Sequence, residues 1–138
     1  MKFIAIAAAV ATAATTFAAP AMADHLKLET EGTMVKHVVT FPSVMIDKDG
    51  YLVVHALKDG APVIPASIGH VAVKAGTMEN VEVEIMDDAV AGTDYIGMLH
   101  YETNDNDTYD FGEGSTDVDT PATKADGSPY ALPFTAGK

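Results

Sequence analysis

The densest concentration of ligand chemistry in this sequence is the run Glu102-Thr103-Asn104-Asp105-Asn106-Asp107-Thr108-Tyr109-Asp110-Phe111-Gly112-Glu113. Set against the twelve-position frame of a calcium loop, it places oxygen side chains at positions 1, 3, 5, 9 and 12, with a backbone carbonyl at position 7. These are Glu102, Asn104, Asn106, Asp110 and Glu113, with Thr108 supplying the carbonyl. A hard cation needs several oxygens converging from one tight loop, and Glu113 falls where a bidentate carboxylate would close the shell. Two residues depart from the pattern. Glu102 is longer than the usual Asp, and Asp107 stands where glycine makes the sharp turn, so Asp107 must take a left-handed conformation, which Asp tolerates better than most residues. A solvated acidic turn has the same composition and is the plainer alternative. Asn106-Asp107-Thr108 also matches a glycosylation sequon, a short pattern that occurs by chance.

The second group is the histidines, His25, His37, His55, His70 and His100. His25 follows Asp24 directly, and a free amine there with an early imidazole would chelate copper or nickel weakly. His55 and His100 lie in the two most apolar runs of the chain. If those runs are neighbouring strands, His55, His100 and Met98 share a face, since residues two apart point the same way. Imidazole with thioether favours copper, whereas imidazole alone also suits zinc. The plainer alternative is a hydrogen-bonded, half-buried ring with methionine as core filler.

Catalytic signatures are absent. The sequence has no G-x-S-x-G, no H-E-x-x-H and no phosphate-cradling glycine loop, and Ser43 and Ser67 carry no local sign of activation. Its lack of cysteine removes disulfides, thiolate metal sites and thiol nucleophiles. An enzyme is not expected.

The elements that must position these residues read as short strands. Val35–Phe41 is β-branched and partly alternating, with Pro42 interrupting it, and Val44-Met45-Ile46 leads into the turn Asp47-Lys48-Asp49-Gly50. Tyr51–Leu57 is nearly all apolar, as expected of a strand covered on both faces. Val63–Ile68 and His70–Val73 read as weaker strands, Pro65 placing the first at an edge or bulge. Val81-Glu82-Val83-Glu84-Ile85 alternates strictly, so Val81, Val83 and Ile85 face inward. Tyr95–Tyr101 is another buried strand. From Glu102 the chain turns polar, until Tyr130, Leu132 and Phe134 alternate in a patch that would dock as a last strand. The alternative is that the tail after Gly112 is flexible, which its composition also allows. Short strands at this spacing predict an all-β fold, a small antiparallel β-sandwich with an acidic loop and an irregular C-terminal segment.

The first 23 residues read as a secretory signal peptide: Lys2, an uncharged apolar run from Phe3 to Ala19, then Pro20 and the small–x–small site Ala21-Met22-Ala23. The expected mature domain is residues 24–138, a single domain by its length. Without Lys2 its lysines number seven against 20 acidic residues, a net charge of −13, with no arginine. Such a charge repels nucleic acid and anionic membranes, and leaves divalent cations or basic partners open. A periplasmic or secreted location follows, with no membrane span after cleavage.

The segments Val44 to His55, Ala75-Gly76 through Glu79-Asn80-Val81-Glu82-Val83, and Met98–Asn104 with Tyr109-Asp110-Phe111 resemble an extracytoplasmic domain of unknown function. That family is found in halophilic archaeal surface proteins and exported bacterial proteins. The resemblance runs roughly from Thr40 to Phe134 and implies an immunoglobulin-like or cupredoxin-like sandwich in a secreted context, with no known activity. The family usually carries Asp at Glu102 and Gly at Asp107, and both departures bear on calcium. The expected function is an exported, non-catalytic binding or interaction module for an unknown protein or cell-surface partner, ordered by calcium at Glu102–Glu113. The alternative is a periplasmic copper or zinc carrier using His55, Met98 and His100.

Overall fold

The computed structural model describes residues 25–86 and 91–137; the expected signal segment lies outside the described residues. Nine strands follow one another among the described residues: β1 (Lys27–Leu28), β2 (Thr33–Val35), β3 (Val38–Ile46), β4 (Gly50–Lys58), β5 (Ala61–Pro62), β6 (Gly69–Val73), β7 (Gly76–Glu84), β8 (Asp94–Tyr101) and β9 (Ala131–Thr135). All the strand pairs are antiparallel and they make two sheets. In the first, β3 carries β7 on one edge and β1 and β2 end to end on the other, since Val44 faces both Leu28 and Met78 while Thr40 faces both Thr33 and Glu82. In the second, β4 carries β6 and β5 on one edge and β8 on the other, and β9 adds to β8. The chain thus steps between sheets after Ile46. The predicted β-sandwich is the observed fold.

Apolar residues of both sheets meet in one core. Phe41, Val44, Ile46, Val81 and Val83 from the first sheet pack with Leu52, Val54, Leu99 and Phe134 from the second. Phe41 and Phe134 touch edge to face with centroids 5.1 Å apart. Pro42 does not end β3 as its lack of an N–H suggests. The β3–β7 ladder passes from Phe41↔Val81 to Ser43↔Glu79, skipping Pro42 and Asn80, and Asn80 adopts φ 52°. Both strands change phase there: Val39 and Phe41 are buried before it, Val44 and Ile46 after. The missing donor is accommodated by a local reversal of alternation, at an Asn that tolerates the left-handed region.

Val63–Ile68 is a loop rather than the predicted weak strand. Its carbonyls are used inward, as described below, and so cannot run along a sheet edge.

The tail is tied to the sandwich along its length. Residues 120–122 lie beside the end of β8, with Tyr101 N donating to Thr120 O and Ala122 N donating to Leu99 O. The Leu28 amide of β1 donates to the Tyr130 hydroxyl at 2.9 Å. Tyr130→Phe removes that acceptor and should cost about 1 kcal/mol, a few degrees in a thermal melt. A phenylalanine variant melting at or above the parent would show that water replaces the bond.

Candidate functional site

Strand β4 is buried on both faces: Tyr51, Leu52, Val53, Val54 and His55 are all buried. Leu52 and Val54 face the core, so Tyr51, Val53 and His55 face outward from the sandwich. The register places Tyr51 opposite His100, Val53 opposite Met98, and His55 opposite Ile96. Directly opposed residues share a face, so His55, Met98 and His100 stand together on the outer face of the β4–β8 pair. The excursion of residues 102–119 between β8 and Thr120 covers His100, and the loop carrying Val63 and Ala66 lies against His55.

Two aromatic residues in this otherwise polar excursion make the cover. The Phe111 ring meets His100 edge to face at 4.8 Å, and the Tyr109 ring meets His100 at 5.4 Å and His70 at 4.7 Å. Tyr51 packs on Tyr109 at 5.2 Å and its hydroxyl donates to the Glu102 carboxylate. Burial, reinforced by that carboxylate, pushes the Tyr51 hydroxyl well above the usual phenol range, while the Tyr51 hydrogen bond holds Glu102 below the usual carboxylate range. A Cβ on Gly50 would lie 2.0 Å from the His100 carbonyl oxygen, so only glycine lets β4 start this close to His100.

The two imidazoles are held alike. His55 Nδ1 lies 2.8 Å from the Ala66 carbonyl and 3.2 Å from that of Val63, and His100 Nδ1 lies 2.6 Å from the Asp119 carbonyl. A carbonyl only accepts, so each Nδ1 carries a proton, and in a neutral ring so held Nε2 presents a bare lone pair. Both residues are completely buried, their ring centroids are 6.0 Å apart, and neither Nε2 has a hydrogen-bond partner in the protein. The buried Tyr109 hydroxyl is also unpartnered. Burial pushes the His100 pKa down to about 4 against the lifting effect of the Asp119 carbonyl, with His55 lowering it further. The ring is therefore neutral at pH 7. A ring fixed through Nδ1–H by a backbone carbonyl, with Nε2 free, is the form in which histidine ligates metals.

The neck of the excursion is closed by a residue that sequence reasoning missed. Asp119 is fully buried, and its two carboxylate oxygens accept from the amides of Thr103 at 3.0 Å and Asp110 at 2.7 Å. Its own amide donates to the Thr103 hydroxyl at 2.8 Å. No local signal separates it from Asp117 in the same acidic run.

Within the loop, the structure brings three of the calcium candidates together. Asn104 and Asn106 donate their side-chain amides to the same Asp110 oxygen, at 2.8 and 2.6 Å, and these bonds hold the Asp110 carboxyl below its ordinary range. Asn106 Oδ1 is already engaged, accepting from Thr108 N at 2.9 Å. Glu102 turns to Tyr51 and to the Asn104 amide, and the exposed Glu113 sits at a turn closed by paired Gly112–Ser115 backbone bonds. Asp107 does take the left-handed conformation, φ 56°, as does Asp105 at φ 55°. His25 stands apart from the histidine pair, its Nε2 at 3.1 Å from the Thr123 carbonyl. Among the described residues no three His, Cys, Asp or Glu side chains converge as a metal ligand set. Among the described residues no helix is long and apolar enough to cross a membrane.

Compared with known proteins, residues 26–135 match the model of a domain of unknown function, DUF7282. No curated protein and no solved structure matches the chain.

Proposed function

Since the chain belongs to the DUF7282 family, a domain family of unknown function, we propose its role from the geometry: an exported, non-catalytic binding module that holds a copper or zinc ion between His55 and His100. The observation that carries this is the pair of buried Nε2 atoms without a hydrogen-bond partner, on rings whose Nδ1–H is committed to a backbone carbonyl. Leaving such acceptors without a partner costs roughly 1–3 kcal/mol each, which a bound ion would recover. Met98, buried on the same face, offers a thioether beside them. Export belongs to the same proposal and is supported by Lys2, the apolar run that follows and the small-residue site ending at Ala23.

The test is a thermal melt of the exported protein in EDTA, calcium, zinc and copper. A ligand at a hundred times its Kd adds about 2.7 kcal/mol, which moves the midpoint of so small a domain by several degrees. Copper or zinc raises the midpoint, and the rise disappears in His100→Phe. No rise with either metal in the parent protein sinks the reading.

A second reading is favoured by the left-handed Asp107, the conformation that position 6 of a calcium loop requires. Calcium would then have to displace the Asn104 and Asn106 amides from Asp110. A rise with calcium alone, abolished by Asp110→Asn and untouched by His100→Phe, would select it.

A further inference from the structure

Resting on the His55–His100 reading, we infer that the ion held there is monovalent copper, Cu(I), bound chiefly by the two Nε2 atoms. Charge is the first argument. The groups shown against the rings are the aromatic side chains of Tyr109 and Phe111 and the backbone carbonyls of Val63, Ala66 and Asp119, and no carboxylate bonds either ring. The carboxylates of Asp119 and Glu102 are committed elsewhere, Asp119 to the loop amides and Glu102 to Tyr51. The cost of burying an ion rises with the square of its charge, so a divalent ion between two neutral imidazoles costs about four times as much to desolvate as a monovalent one.

Donor number is the second argument. Zinc takes four ligands in a tetrahedron, and Cu(II) prefers a tetragonal set of nitrogens and oxygens. The outer face of β4–β8 supplies two imidazole nitrogens and a thioether, and no third His, Cys, Asp or Glu among the described residues joins them. Soft, low-coordinate Cu(I) is the ion such a set suits. Spacing is the third. Two metal–nitrogen bonds of about 2 Å, added to the distance from each ring centre to its nitrogen, span roughly 6 Å. The observed centroid separation is 6.0 Å, the span that two Nε2 atoms sharing one ion require.

The experiment uses the exported protein, metal-free and under anaerobic conditions. Cu(I), supplied as its acetonitrile complex, is titrated in competition with bicinchoninate, and zinc and Cu(II) are titrated separately. Long-range nitrogen–proton spectra follow the imidazoles. The expected result is one Cu(I) per chain, bound roughly 100-fold more tightly than zinc or Cu(II), with the His55 and His100 Nε2 resonances displaced. His55→Phe and His100→Phe each lose this binding, and if either fails to fold, the spectrum of the parent protein decides alone. Zinc or Cu(II) bound equally well at the same two nitrogens overturns the Cu(I) inference and leaves the metal-binding reading standing. Unchanged Nε2 resonances in every titration, as a buried water bonded to both nitrogens would give, overturn both.

Discussion

Asp119→Ala is expected to lower the melting temperature by roughly 15 °C, the largest effect of any single polar substitution in this domain. The side chain is completely buried and accepts hydrogen bonds from two amides of the excursion, Thr103 N near its start and Asp110 N at its middle. A hydrogen bond to a charged group contributes about 1.5–3 kcal/mol, and removing the acceptor leaves its donors without a partner. Asp119 also lies at φ 44°, where alanine is strained by about 1 kcal/mol more than aspartate. The sum is about 4 kcal/mol after allowing for water reaching the part-buried amides. Hydrogen exchange supplies the local readout: the Thr103 and Asp110 amides lose their protection, while the β3–β7 amides keep theirs until global unfolding. Asp119→Asn, which keeps one acceptor oxygen, should fall between the two. An alanine variant within 1 kcal/mol of the parent would mean that the neck is held by the backbone bonds alone.

Acid should weaken the fold well before its carboxylates titrate. His100 is held near pKa 4 chiefly by burial, against 6.5 in the unfolded chain. Between those values the unfolded chain takes up a proton that the folded protein refuses, so stability is intact above pH 6.5 and falls as pH drops toward 4. A difference of about 2.5 units corresponds to roughly 3 kcal/mol once both limits are passed. His70, exposed along part of its side chain but with its ring against Tyr109, is lowered by burial and acts in the same direction. Asp110, Asp49 and Asp126, each held below the ordinary carboxylate range by hydrogen bonds, withdraw their contribution only at lower pH. Urea unfolding at pH 7, 5.5 and 4.5 measures the loss, and stability that stays flat from pH 7 to 5 would refute the assignment of His100 as a buried neutral ring.

Much of the architecture was legible in residue order. The unbroken apolar run Tyr51–Leu57 announced a strand covered on both sides, and β4 is buried from Gly50 to His55. The strict alternation of Val81, Val83 and Ile85 gave the inward face of β7 and the residue after it. The alternation of Tyr130, Leu132 and Phe134 marked the segment that pairs with β8. Less legible were the places where tertiary contacts override local preference. Pro42 reads as a stop, yet β3 passes through it because Asn80 across the ladder turns over with it. Val63–Ile68 reads as β-prone, yet its carbonyls are drawn to His55, a partner eight to eleven residues back.

The site was half visible for the same reason. Residue spacing puts Met98 and His100 on one face, but only strand pairing brings His55 to them. The cover was signalled by Tyr109 and Phe111, two aromatic rings in a polar run, and the neck by nothing local, since Asp119 matters through partners 9 and 16 positions away.

That neck has a kinetic consequence. Asp119 closes the excursion with its carboxylate and orients His100 with its carbonyl, so one residue fixes both the neck and the ring proposed as a ligand. An ion held at His100 behind this cover would leave no faster than the neck opens, and an opening that moves Asp119 would also release the carbonyl that holds the ring. Residence time is then set by a conformational rate, independent of how much competing chelator surrounds the protein. If an ion is held there as proposed, it would pass to a partner that pulls the 102–119 excursion away and be withheld from one that merely binds the ion well.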